Sequence, residues 1–171
     1  NDGTKKHIYH ETYATWLDWI DGMLFGRDGI YMVRSFDTGW QQIYYLSYDG
    51  NVLKRLTDGK NWRVSLVDMK EGKAAQGFDG STSEILFVAE RDSRVRSGLY
   101  SVCRGEVKNV SDPSLHVRTV SVSPDMKYAA ASVSNSRTPS QIWIYDLAKP
   151  AKSFKVADMA GAGFNAADYA L

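Results

Sequence analysis

The sequence predicts an all-β chain on three observations: short β-branched and aromatic runs, turn signals between them, and a recurring strand–hairpin–strand unit. The runs are Ile30–Arg34, Ile43–Tyr48, Val52–Leu56, Trp62–Val67, Glu84–Ala89, Leu99–Cys103, Val107–Val110, Val117–Val122, Tyr128–Val133, Ile142–Tyr145 and Phe154–Val156. Branched and flat side chains suit a pleated, half-buried surface. Trp62, Val64 and Leu66 alternate with Arg63 and Ser65, the period of a strand with one buried face. No long window carries a helical period. The tail Ala157–Leu171, rich in Ala and Gly, alone reads as helix or linker.

Turn chemistry agrees. Asp-Gly stands at Asp21-Gly22, Asp28-Gly29, Asp49-Gly50, Asp58-Gly59 and Asp79-Gly80, and both residue types tolerate the positive φ of tight hairpins. Tyr48-Asp49-Gly50-Asn51-Val52, between two apolar runs, is the clearest hairpin. Met69–Ser83 reads as a long loop.

Ile43-Tyr44-Tyr45-Leu46, Leu99-Tyr100-Ser101-Val102 and Ile142-Trp143-Ile144-Tyr145 each precede a turn and a further strand, at intervals of 56 and 43 residues. A unit recurring every ~40–50 residues is the mark of four-stranded propeller blades. The expectation is a partial β-propeller of about three antiparallel blades over residues 1–156, with 157–171 as a linker. A closed propeller takes about four to eight blades. The chain therefore reads as part of a longer propeller, or as one completed by a partner.

Of the 171 residues, 43% are hydrophobic and 24% charged, enough to bury a core. The net charge is +1, with scattered lysines and arginines, so nucleic acid is not an expected partner. Cys103 is the single cysteine and forms no internal disulfide or zinc site. No apolar run nears the roughly 18 residues of a membrane span. The polar start Asn1-Asp2-Gly3-Thr4-Lys5-Lys6 reads as a cut in a longer chain, not a signal peptide.

Four segments, in order, carry a family resemblance. Phe36-Asp37-Thr38-Gly39-Trp40-Gln41-Gln42-Ile43-Tyr44 resembles an acidic-x-Gly-Trp-x-x-Leu/Ile-Tyr stretch of dipeptidyl peptidase IV propellers. Leu56-Thr57-Asp58-Gly59-Lys60-Asn61-Trp62-Arg63-Val64 resembles their Leu-Thr-x-Gly-x-Trp-x-Val, with one extra residue before the tryptophan. Ser93-Arg94-Val95-Arg96-Ser97-Gly98-Leu99-Tyr100 resembles Ser-Pro-x-Glu-Arg-x-Leu-Tyr but lacks its Pro and Glu. Ser121-Val122-Ser123-Pro124-Asp125-Met126-Lys127-Tyr128 resembles Phe-Ser-Pro-Asp-Gly-Lys-Tyr, with Met126 where Gly is usual. The resemblance implies the last blades of the propeller of a dipeptidyl peptidase IV-like (prolyl oligopeptidase family) serine peptidase, in the periplasm or outside the cell. It implies as partners an α/β-hydrolase domain of the same parent chain, which carries the Ser–Asp–His triad, and a peptide substrate. The family's paired glutamates, which hold the substrate amino terminus, match no position here.

Chemistry sought in the residues themselves is sparse, and the expectation is no catalytic, cofactor-binding or metal residue. There is no Gly-x-Ser-x-Gly nucleophile elbow. His116 follows Asp112-Pro113-Ser114 and reads as a surface histidine rather than a triad member. His7 and His10 lack a third metal ligand. Gly161-Ala162-Gly163-Phe164-Asn165-Ala166 imitates a dinucleotide fingerprint without its β-α-β context. Asn109-Val110-Ser111 is a glycosylation sequon. Arg91, Arg94 and Arg96 read as a solvated connection, with a carboxylate-binding loop as the sharper alternative. Trp16, Trp19, Trp40, Trp62 and Trp143 are expected to pack between blades, with ligand platforms as the sharper alternative.

Two functions follow. One is the propeller of a serine exopeptidase, walling the substrate chamber and limiting entry to short peptides. The other is a non-enzymatic periplasmic propeller acting as a protein-binding scaffold. Three blades alone leave an uncovered face at each end, in strands such as Ile30–Val33 and Tyr128–Val133, so a homodimer is expected unless the tail 157–171 folds back as a cap.

Overall fold

The computed structural model describes residues 3–20 and 22–169. Twelve strands form three antiparallel four-stranded sheets in chain order. The first blade is β1 (Leu24–Phe25), β2 (Gly29–Arg34), β3 (Gln42–Ser47) and β4 (Leu53–Arg55). The second is β5 (Arg63–Lys70), β6 (Glu84–Glu90), β7 (Gly98–Cys103) and β8 (Glu106–Asn109). The third is β9 (His116–Val122), β10 (Tyr128–Asn135), β11 (Thr138–Asp146) and β12 (Phe154–Asp158). Among the described residues, only two 3-10 turns, Pro150–Lys152 and Ala166–Tyr169, interrupt the all-β pattern. The predicted fold class is the observed one.

Each blade pairs every strand with its sequence neighbour, so each blade is a local product of its own sequence, and the long connection 71–83 stays within the second blade. Alternation puts one face of each sheet against the next. Tyr31, Ile43, Tyr45, Ile85, Phe87 and Tyr100 fill the gap between the first two blades. Leu86, Leu99, Val117, Ala131, Val133 and Tyr145 fill the gap between the second and third. Packing in the first gap is tight. Gly80 has φ +77°, and a Cβ there would lie 2.5 Å from the Tyr45 ring.

Blades one and two close in the same way. The Leu56 amide donates to Ile43 O and the Val110 amide to Leu99 O, each at 2.8 Å. The next residue then returns a hydroxyl: Thr57 Oγ1 and Ser111 Oγ accept from the Ile43 and Leu99 amides, each at 2.9 Å. In blade three the Met159 amide donates to Ser140 O at 2.9 Å. The structural repeat therefore starts at Ser140, two residues before the Ile142 that sequence similarity aligns. A bulge between Ile142 and Trp143 lies just beyond it. Ala160 follows Met159, so blade three has no hydroxyl at that place.

Several expectations need correction. The short strand β1 was not anticipated: two residues are too few to show a period. Strand β5 runs on to Lys70, into the segment read as loop, across a bulge between Leu66 and Asp68. Gly29 lies inside β2, so Asp28-Gly29 enters a strand rather than making its turn. Asp21 lies outside the described residues. Asp49-Gly50 does turn the β3–β4 hairpin, with Gly50 at φ +77°.

The larger correction concerns the two open faces. The outer face of the first blade is covered, by the N-terminal arm and not by the tail. Ile8, Tyr9 and Ile20 of the arm, with Phe36 of the β2–β3 connection, pack over Met32, Tyr44 and Leu46, all three buried. Arg34, 5% exposed, pins the arm: its Nε and Nη2 both lie 2.6 Å from Glu11 Oε2, and Nη1 donates to Asp18 O at 2.9 Å. The Tyr9 hydroxyl donates to the same Glu11 oxygen at 2.6 Å. The arm covers this face without regular secondary structure.

Among the described residues, the outer face of the third blade is left largely exposed. Tyr128 and Phe154 are exposed there, beside half-buried Ile142 and Ile144. Met159 is 66% exposed, whereas Leu56 and Val110 at the equivalent position are 6% and 4% exposed.

Candidate functional site at the blade ends

The segment from Gln41 to Arg63 shows why two of the sequence motifs take the form they do. Gln42 is fully buried. Its Nε2 donates to Gly59 O at 2.7 Å, and its Oε1 accepts from Thr57 Oγ1 and Asn61 Nδ2, both at 2.8 Å. Arg91, from the β6–β7 connection, donates through Nη1 to Asn61 Oδ1 at 2.8 Å and Asp58 O at 2.5 Å. Gly59 has φ +90°, and a Cβ there would sit 3.1 Å from both terminal nitrogens of Arg91. Neighbouring Gln41 accepts the Val64 amide on Oε1 at 2.7 Å. Gly-Trp-x-x-Ile-Tyr and Leu-Thr-x-Gly-x-x-Trp are therefore two halves of one buried polar latch joining blades one and two. A latch with every buried polar atom paired specifies a single arrangement.

Around it, Trp40 and Trp62 meet edge to face at 5.4 Å. The Arg94 guanidinium lies 5.0 Å from the Trp62 ring centre and the Lys60 ammonium 6.0 Å from that of Trp40. Nearby tyrosines are held neutral. Burial first, and a 3.0 Å hydrogen bond to Asp92 second, push Tyr100 up to about 12. Burial, then the Asp37 carboxylate, raises Tyr44 further. Asp37 also takes a 2.7 Å bond from Arg55.

A cleft of about 520 Å³ opens where β5 and β9 separate. Its polar lining is Arg63, Ser65, Glu90, Ser97, His116 and Arg118, and its walls include Leu66, Val88 and Val120. Arg63 and Glu90 stand opposite each other in the β5–β6 register. The Ser97 amide donates to His116 Nδ1 at 3.0 Å, which leaves the ring proton on Nε2. A smaller cleft of about 220 Å³ shares Arg63, Ser65 and Leu66 and reaches Asp18, Trp19 and Arg34.

The family model for the dipeptidyl peptidase IV (DPP IV) N-terminal region matches residues 1–140. The chain belongs to that family. Among solved structures it is similar to dipeptidyl peptidase 4 of Porphyromonas gingivalis, with 18% identity and a TM-score of 0.63, over 82% of this chain and 19% of that one. TolB of Acinetobacter baumannii matches at 17% identity and a TM-score of 0.49, over 78% of this chain and 31% of that one. The chain thus spans about a fifth of the peptidase it resembles.

Against this DPP IV-type frame, the residues singled out in the sequence separate. Arg91 is committed to the latch and Arg94 to Trp62, so the three arginines do not form one carboxylate-binding loop. Trp40 and Trp62 pack on each other, and Trp143 stacks on Tyr145. Trp16 and Trp19 do not pack between blades: they lie on the arm, 76% and 90% exposed. The His7 and His10 rings meet edge-on at 5.8 Å. Among the described residues no group of three or more His, Cys, Asp or Glu is placed to hold a metal. The sequon's Ser111 hydroxyl is engaged by the Leu99 amide. Met126, standing where Gly is usual, does adopt positive φ, +51°. It packs against the second inter-blade core, which gives its side chain a role glycine could not fill. The β5–β9 cleft escaped sequence reasoning because its polar residues come from separate strands and loops with no motif linking them.

Proposed function

We propose that this chain is the propeller portion of a dipeptidyl peptidase IV-like serine exopeptidase, in which its blades wall the substrate chamber and limit entry to short peptides. The carrying observation is the family match across residues 1–140. The latch supports it, because the motif residues are used for joining blades and not for chemistry. His116 supports it too: its Nδ1 is occupied by a backbone amide rather than by a carboxylate that would orient it as a base. Catalysis is then assigned to an α/β-hydrolase domain of the same longer protein, with residues 157–171 as the connector.

The test is the gene and the protein it encodes. A Gly-x-Ser-x-Gly elbow within about 250 downstream codons is expected. The longer protein should turn over a fluorogenic Gly-Pro substrate while this chain alone matches buffer. Downstream blades or a stop codon without that elbow would refute the reading. So would turnover by this chain that survives repurification and is lost in His116→Ala.

A further inference from the structure

We propose that the cleft between β5 and β9 binds the C-terminal carboxylate of a short peptide, gripped by Arg63 and Arg118 with His116 Nε2 as a third donor.

The first argument is where the arginines spend their charge. Arg27, Arg34 and Arg55 each pair with a carboxylate at 2.6–2.8 Å. Arg91 bonds within the latch and Arg94 lies over Trp62. Arg63, Arg96, Arg104, Arg118 and Arg137 have no such partner among the described residues, and of these the fold brings Arg63 on β5 and Arg118 on β9 to one cleft. Two like charges sharing a concave site repel, and an anion between them relieves the repulsion. A guanidinium fork matches a carboxylate in shape as well as charge.

The second argument is His116. Its Nδ1 accepts the Ser97 amide, so the neutral ring offers Nε2–H as a donor. The cleft therefore holds three side chains with N–H donors, Arg63, Arg118 and His116.

The third is the charge balance. Glu90 lines the same cleft. With two arginines, one carboxylate and a neutral histidine the lining carries one net positive charge, which suits a monoanion better than a phosphate dianion. Leu66, Val88 and Val120 give small apolar side chains a wall beside the carboxylate. About 520 Å³ is within the ~300–1,000 Å³ usual for small-molecule sites. The inference stands apart from the peptidase reading, since it concerns binding by these blades alone.

The experiment titrates N-acetyl-Ala-Ala, with a free carboxylate, into the 171-residue chain while arginine Nε–H and histidine ring resonances are followed by NMR. Saturable shifts are expected at Arg63, Arg118 and His116, with none from the C-terminal amide of the same peptide. Arg63→Gln and Arg118→Gln should each weaken binding about tenfold or more, as loss of a charged hydrogen bond does. Lys108→Gln, on the exposed β8 strand, should change nothing. Equal shifts from the amide, or wild-type binding by Arg118→Gln, would overturn the site. Tighter binding of acetyl-Asp-amide or of inorganic phosphate would overturn the peptide C-terminus as its ligand.

Discussion

Glu11→Gln should release the N-terminal arm. The substitution keeps the shape of residue 11 and removes its charge, leaving the Arg34 guanidinium, 5% exposed, without a counter-charge. In the parent chain a single Glu11 oxygen receives Arg34 Nε, Arg34 Nη2 and the Tyr9 hydroxyl, each at 2.6 Å. Breaking one side of a buried ion pair costs about 3–5 kcal/mol. The arm can avoid most of that cost by lifting, which returns Arg34 to water. At the lower figure of about 3 kcal/mol, the lifted population rises roughly a hundredfold, because ~1.4 kcal/mol is a factor of ten. Chymotrypsin reads this at Tyr9, which is part-buried on the docked arm, because cleavage of a briefly opened segment follows its open population. The double change Glu11→Leu with Arg34→Met should restore resistance, because an apolar pair leaves no charge stranded. Wild-type cleavage of Glu11→Gln, or a double variant cut as fast as the single one, would refute the account.

Gln42→Leu strands the Asn61 amide and Gly59 carbonyl and should lower stability by about 3 kcal/mol or more in urea unfolding. Tyr145→Phe should change stability by no more than ~1 kcal/mol, since that buried hydroxyl makes no well-formed hydrogen bond and has the Asp112 backbone near it; a larger loss would show that Asp112 is a true partner. Burial chiefly raises Tyr9, Tyr45 and Tyr100 from 10.0 to about 12. Their folded values exceed the unfolded one, so the stability they contribute is full below pH 10.0 and is lost as pH rises toward about 12. Tyrosinate absorbance at about pH 11 should be smaller in the folded chain than in urea. With the first blade capped, the exposed face of the third should pair two copies about a two-fold axis. Light scattering should then give about 38 kDa, twice the 19.1 kDa chain, and Phe154→Glu should return the monomer; a sharp wild-type monomer at tens of micromolar refutes pairing.

The fold was legible because blades are local objects. The β3–β4 hairpin announced itself through Tyr48-Asp49-Gly50, and strands such as Glu84–Glu90 through their apolar runs. The bulge in β5 was not legible, since the extra residue near Val67 disturbs the two-residue alternation that identifies a strand. The arm was illegible for a related reason: it has no period and holds its place through a long-range ion pair, Glu11 with Arg34. The latch was half visible. Its motifs stood out as strings, but only the fold shows that Gln42, Asn61 and Arg91 meet. The cleft residues Arg63, His116 and Arg118 carry no signal until strands β5 and β9 are set side by side.

The hydroxyl that closes each of the first two blades has a counterpart missing in the third, where Ala160 follows Met159. In a stack of near-identical units, stability is roughly the sum of unit and interface terms. The first blade has a cap and a latch, the second has a neighbour on each side, and the third has one neighbour and no closing hydroxyl. Taken alone, these three blades should therefore fray from β12 inward.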